Sequence, residues 1–476
     1  MRNLAIVLRM LLVACILSVA VAAQSAPLTL LKSTNWDPSV KACLNELLTD
    51  VGRNSPAYNP TQRPYAVFDF DNTVSILDVE EQLAIWQLEK MRFNIRPEQM
   101  FSVLTAGVPD PSKDLGKEWN NLTVQMVATD AADAYGRLWK AGMVDTGGKK
   151  LDLKKVHASP DWQEFATKAR WLYDAIGDAY DVSVSYPWVT YWFTGMTPQE
   201  VRAMAMEAYT YYAKASQKKD FWKKVTWKSP ENYHGASAGQ LSIEFNQGIT
   251  VSPELKELIS ALHQDGIDVW ICSASFIDVI SAAVDPATFG IRGVDGILAM
   301  TNKLENGRYI AADYDYNFHD QTQGVGKRNT IQKILFPLYN GRGPVFVACD
   351  SQGDFNFVTE FADTKAALVL NRARKDDAGI LAAIALYQND AKLSVAAANR
   401  AGDIRFLLQG RNENGGTLWA KPQVMRLGKD KEELLSKKAE GWYEKLKAGS
   451  TPADLINGCT ELTGKLKKYD GYRNVK

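Results

Sequence analysis

The chain has 476 residues, 46% of them hydrophobic and 23% charged, which is ordinary globular material with room for two or three compact units. Lys+Arg and Asp+Glu both total 55, so no net field draws the protein toward nucleic acid or an acidic membrane surface. Arg2 and Arg9 precede an apolar run, Met10 to Ala23, ending in Val21-Ala22-Ala23. Small residues at those places predict a cleaved signal sequence and a periplasmic or secreted protein. A retained anchor is the other reading, but the run is short for a span. Leu12-Val13-Ala14-Cys15 also has the look of a lipoprotein box, although the apolar run continues past the cysteine. After cleavage, Cys43 and Cys459 lie in amphipathic end segments, where a disulfide between them would tie the termini together. Cys272 and Cys349 sit within apolar runs and read as buried thiols.

Tyr65 to Phe68 reads as a buried strand, and Asp69-Phe70-Asp71-Asn72-Thr73 follows it. Residues i and i+2 of an extended chain point to one side, so Asp69 and Asp71 can face one small volume. Two anions that close need a proton or a cation between them, which suggests a divalent metal. Turn chemistry is the plainer reading of Asp-Asn-Thr. Further buried strands are expected at 267–272, 345–349 and 366–370, with helices at 252–265, 276–284, 327–339 and 353–362 between them. Continuous apolar strands alternating with helices predict a doubly wound parallel α/β sheet. Ligands of such sheets bind at the carboxyl ends of the strands, where Asp69, Ser273 and Asp350 fall.

About 170 residues after the first strand carry little strand signal. Helices are expected there at 78–91, 128–141, 161–177 and 197–217, forming an inserted helical domain over the site. Asn306-Gly307 predicts a hairpin turn, and 430–447 and 452–468 predict amphipathic helices. The division is then 1–23 signal, 24–75 and 245–400 core, 76–244 cap insertion, and 401–476 an extension packed on the core.

Ser273 can hold a phosphate oxygen at a helix start, or simply cap the helix. Lys327 opens a helix, where its charge opposes the dipole unless an anion is near. Gly324-Val325-Gly326-Lys327 is not a P-loop, because Arg328 stands where Ser or Thr is needed. Asp350 and Asp354 can complete an oxygen-only shell of the kind Mg²⁺ takes, or cap a helix.

The ordered set Asp-x-Asp-x-Thr, Ser, Lys, Asp-x-x-x-Asp resembles the haloacid dehalogenase (HAD) superfamily over 60–75 and 245–375. The resemblance implies a Rossmann-like sheet with a cap inserted between the first two motifs. It implies that Asp69 is a nucleophile forming an aspartyl-phosphate and that Asp71 is the acid and base. Mg²⁺ would be held by Asp69, Asp71 through its main chain, and Asp350, with Asp354 as a ligand or its support. Ser273, Lys327 and Thr73 would bind phosphate. An acid at Asp71 favours phosphate esters over halides, because a halide leaves without a proton.

Asn35-Trp36-Asp37-Pro38, Asp78-Val79-Glu80-Glu81, Tyr186-Pro187-Trp188-Val189 and Val284-Asp285-Pro286 further resemble the exported bacterial phosphorylcholine phosphatases. Residues 171–193 hold eight aromatics, and aromatic faces with a carboxylate bind quaternary ammonium groups. Tyr186 and Trp188 can supply faces and Glu81 or Glu80 the charge; alternatively the rings are the core of the insert. The chain departs from those phosphatases in an extra stretch near 100–175 and in its long tail. A small phosphate ester is the expected partner, with no nucleic acid and no stable membrane insertion. A choline-binding protein without turnover, and a broad acid phosphatase or phosphotransferase, are the other readings.

Overall fold

The computed structural model describes residues 28–216, 220–316, 318–459 and 469–476. The expected signal sequence and Cys15 lie outside the described residues. Six parallel strands form the central sheet: β1 Tyr65–Phe68, β2 Asp268–Phe276, β3 Gly296–Met300, β4 Phe346–Cys349, β5 Ala366–Leu370 and β6 Arg405–Gln409. Their order is β6-β5-β4-β1-β2-β3. The chain runs outward from β1 through β2 and β3, then crosses to β4 on the other side. The switch point, where such sheets open a crevice, therefore lies between β1 and β4. Their register pairs Phe68 with Ala348, so the residues after both strands emerge side by side.

No residue of β1, β4, β5 or β6 is exposed. Along β1, Ala66 and Phe68 pack into one core while Tyr65 and Val67 pack into the other, as a period of two requires. Helices cover both faces: α1 (Pro38–Val51) and, after the insert, α9 (Pro253–Gln264) and α10 (Ile277–Ala283) on the first; α11 (Val325–Leu338), α12 (Phe355–Thr359) and α13 (Ala378–Asp390) on the second. This is the doubly wound sheet with an inserted cap that the resemblance implies.

The insert between β1 and β2 holds α2 (Val79–Lys90), α3 (Pro97–Thr105), α4 (Val124–Lys140), α5 (Leu153–His157), α6 (Pro160–Ala179), α7 (Val182–Thr190) and α8 (Pro198–Ser216). Most of the insert packs around a core of its own, built largely on α4 and α6, so the extra stretch near 100–175 is its centre. A hairpin, Trp222–Lys228 with Ser242–Gly248, closes it and has no counterpart in the sequence reading. The expected turn at Asn306-Gly307 joins strands Asn302–Glu305 and Arg308–Tyr314, with both turn residues at positive φ (51° and 74°).

Three tail expectations need correction. The stretch assigned to an extension supplies β6, whose charged Arg405 is fully buried and satisfied by the Leu393 carbonyl at 2.8 Å and Asn389 at 2.5 Å. The helix expected from residue 430 begins only at Lys437, because Glu432–Glu433 pair as a strand with Val424–Met425. The helix expected at 452–468 is Pro452–Asn457, and residues 460–468 lie outside the described set. Cys43 and Cys459 belong to cores on opposite faces of the sheet and are not joined to each other. No described helix is long and apolar enough to cross a membrane.

Candidate active site

Asp69 is still zipped to the sheet, its amide donating to the Ala348 carbonyl at 3.0 Å. The chain then turns sharply. The amides of Thr73, Val74 and Ser75 all donate to the Phe70 carbonyl (3.2, 2.8 and 3.0 Å), and Asn72 sits at φ 58°, a conformation asparagine tolerates. This tight turn fixes the two acids differently. Asp69 accepts a 2.6 Å bond from the Thr73 hydroxyl. Asp71 turns toward the start of α2 and the end of β2, where it accepts from the Val79 amide at 2.7 Å and the Ser275 hydroxyl at 2.6 Å.

Asp69, Asp350 and Asp354 come together after β1 and β4. All three are buried, and one oxygen from each lies within 4.8 Å of the others. The Asp71 side chain is not part of this trio. Lys327, in the first turn of α11, donates to Asp69 Oδ1 at 2.6 Å and to Asp354 Oδ1 at 2.7 Å. Those two carboxylates are the anions that its position against the helix dipole called for. The other Asp354 oxygen accepts from the Ser351 amide and hydroxyl, each at 3.2 Å.

Three buried carboxylates, sharing the Lys327 ammonium and, at Asp350, the guanidinium of Arg372, leave excess negative charge. Burial first, then the Asp354 charge, pushes the Asp69 carboxyl up to about 7, against the pull of Lys327. Burial works against the Lys327 charge, but Asp354 and Asp69 hold its ammonium well above the usual lysine range. Burial and Asp78 likewise raise Asp71 well above the ordinary carboxylate range. An all-oxygen, buried, acid-rich set fits a hard divalent cation such as Mg²⁺, and Asp69, Asp350 and Asp354 are the residues able to hold it.

These groups floor a cavity of ≈ 570 Å³ between the strand ends and the insert. Asp69, Asp71, Ser275, Lys327, Asp350 and Asp354 line its base; Asp78, Glu80, Tyr173, Tyr180 and Tyr186 line the insert side; Arg372 and Arg374 line a third wall. Glu80 is buried, and its Oε1 has no hydrogen-bond partner among the described residues. Burial, then Asp78 and Asp71, raise its carboxyl well above the ordinary range.

Tyr186 lines the cavity and is 41% exposed. Trp188 does not line it: it is 1% exposed, donates to the Leu104 carbonyl at 2.9 Å and meets Trp192 edge to face within the insert core. Glu81 is engaged by Arg170 at 2.5 Å, away from the lining. Ser273 is buried; its hydroxyl accepts from the Ser275 amide at 3.0 Å and donates to Asp71 Oδ2 at 3.4 Å, and of these two serines it is Ser275, two residues on along the same face, that lines the cavity. Ser275 could have been read from Ser-x-Ser at a strand end. Arg372 carries no motif spacing that would reveal it.

No family model matches the chain, and no curated protein matches it. Solved structures do. A conserved protein of unknown function from Anaerococcus prevotii DSM 20548 is 28% identical, with 84% of this chain and 99% of that chain covered, at a TM-score of 0.69. The two chains share one fold. A protein with unknown function from Bordetella pertussis Tohama I (13% identity, 65% and 91% covered) and a probable phosphoserine phosphatase from Vibrio cholerae (11%, 75% and 64%) each superpose with a TM-score of 0.28. At that score neither bears on what this chain does.

Proposed function

We propose that the protein is a HAD-type, Mg²⁺-dependent phosphomonoesterase whose nucleophile is Asp69 and whose preferred substrate is a small amino-alcohol phosphate, phosphorylcholine foremost. The observation that carries the proposal is the convergence of Asp69, Asp71, Lys327, Asp350 and Asp354, from three separate chain segments, on the floor of one cavity. The bound cation would lower the repulsion between an anionic nucleophile and an anionic ester. Asp69, held by Thr73 and Lys327, attacks phosphorus, and the bond to the ester oxygen breaks. Asp71, whose carboxyl burial raises, gives a proton to that oxygen, so an alcohol departs. The Asp71 carboxylate then takes a proton from water as the water oxygen attacks phosphorus. The bond to Asp69 breaks, releasing phosphate and restoring both acids. Ser275 and the Val79 amide hold Asp71 in place through both steps.

The substrate class is supported by the polarity of the cavity. Arg372 and Lys327 stand at the phosphate end, while Asp78, Glu80 with its unbonded Oε1, and the rings of Tyr173 and Tyr186 stand on the insert side. A cationic head group would meet aromatic faces and a carboxylate there. On the same reading the enzyme is exported, with residues 1–23 as a cleaved signal.

The test is phosphate release from phosphorylcholine, phosphoethanolamine, phosphoserine and p-nitrophenyl phosphate, with Mg²⁺ and with chelator. The expected result is Mg²⁺-dependent turnover of all four, with the highest kcat/KM for the cationic esters. Tight phosphorylcholine binding with no phosphate released from any ester contradicts the proposal.

A further inference from the structure

Arg372 follows β5, one strand beyond the metal-binding acids, and its surroundings are unusually elaborate. Its Nη1 donates to Asp350 Oδ2 at 2.9 Å, and its Nε lies 3.5 Å from Glu413 Oε1. Glu413 is buried, takes 2.6 and 3.0 Å bonds from Arg411, and has its other oxygen on the Leu427 amide at 2.9 Å. Asn371, just before Arg372, donates to the carbonyls of Pro422 and Leu434, both at 2.7 Å. Ala373, just after it, is held at φ 48° by a 2.8 Å bond from its amide to Asn371 Oδ1. A non-glycine residue takes that conformation only when its surroundings impose it. Glu413, Pro422, Leu427 and Leu434 all belong to the tail beyond β6. The tail therefore grips the arginine and the residue before it, and that residue in turn holds Ala373.

The three cations lining the cavity all have carboxylate partners. Lys327 is bound by Asp69 and Asp354, and Arg374 is paired with Asp376. Arg372 lines the cavity with its side chain 27% exposed, and no partner is assigned to its Nη2 among the described residues. A phosphate dianion entering beside Asp69, Asp71, Asp350 and Asp354 needs a cationic N–H with room for it, and the Arg372 Nη2 is one, held beside Asp350 through Nη1. A guanidinium offers paired donors in a fixed fork, the geometry that suits phosphate oxygens.

We infer that Arg372 is a phosphate-binding catalytic residue and that the C-terminal tail, through Glu413, is its positioning device. The inference rests on the phosphomonoesterase reading and adds a residue and a segment to it. Glu413 touches no substrate; it fixes the Nε side of the guanidinium so that the rest faces the cavity.

Calorimetric titration of inorganic phosphate in Mg²⁺, with melting curves as the folding control, tests it on the full chain. Arg372→Ala should weaken phosphate binding at least tenfold, and Arg372→Lys should restore part of the loss, since it returns charge without the fork. Glu413→Gln should weaken it severalfold and raise KM more than it lowers kcat. Should Glu413→Gln fail to fold, the two Arg372 variants decide the matter alone. An active wild type with unchanged phosphate affinity in Arg372→Ala overturns the inference and keeps the phosphatase. A wild type that releases no phosphate from esters, yet loses phosphate binding in Arg372→Ala, keeps the phosphate site and removes the hydrolase reading. A wild type that binds no phosphate overturns the inference.

Discussion

Asp69, Asp350 and Asp354 crowd three carboxylates into a space where one buried ammonium, Lys327, meets two of them. Lys327→Met should therefore leave uncompensated buried charge, at a cost of about 3–5 kcal/mol in the metal-free protein at pH 8. Denaturant melts would measure that loss, and the loss should shrink when Mg²⁺ is added. Ser275 makes a subtler case. Its 2.6 Å bond orients Asp71, and a hydrogen bond to a carboxylate is worth roughly 1.5–3 kcal/mol. Ser275→Ala should lower kcat for phosphorylcholine about tenfold or more, by the same bond energy. The effect on p-nitrophenyl phosphate should be smaller, because that leaving group departs without a proton. Equal loss on both esters would detach Ser275 from proton transfer. Ser275 was within reach of the sequence through its partner two residues back. Glu80 and Glu81 were not separable, because adjacent helix residues differ only in the direction they face, and direction follows from packing.

Helix α7 shows how one short element divides its work. Tyr186 faces the cavity, while Trp188, two residues on, fills the insert core. Trp188→Ala should cost about 3–5 kcal/mol of stability, as removal of a large buried ring does, with KM unchanged in the protein that remains folded. Tyr186→Ala should leave the melting temperature nearly unchanged and raise KM for cationic esters. Thermal melts and steady-state kinetics on the pair would read both effects. The sheet was legible for a related reason: β1, β4 and β5 are buried on both faces and so read as unbroken apolar runs. β6 hid behind Arg405, a charge whose satisfaction depends on Gln388, Asn389 and Leu393 from other elements. The hairpin Trp222–Lys228 hid because its lysines face solvent.

Across the whole molecule, burial raises several carboxyls that take no part in the chemistry. Those of Glu81 and Glu360 are each pushed up to about 7, against the pull of Arg170 and Arg328 respectively, and that of Asp278 to about 6. In the unfolded chain such groups ionise near 4. Between those limits the folded protein binds more protons than the unfolded one, so stability is fully present below about pH 4 from these groups and is lost as pH rises toward 7. The metal-free protein should accordingly melt at a higher temperature at pH 5.5 than at pH 8; calorimetric scans at the two values check it, and a higher melting temperature at pH 8 would contradict the burial argument. Molecular organisation was partly legible. The insert announced itself by length and helical period. The tail's hold on Arg372 did not, since Arg411, Glu413 and Asn371 acquire meaning only when β5, β6 and the strands after them lie side by side. Asp69 is the nucleophile that the proposed reaction requires at phosphorus. Mass analysis of acid-quenched Asp71→Asn enzyme, mixed with p-nitrophenyl phosphate and Mg²⁺, tests this most directly: a phosphoryl group on the peptide containing Asp69 is the expected result, and a full turnover burst with that peptide unmodified, or with phosphate on another residue, would contradict it.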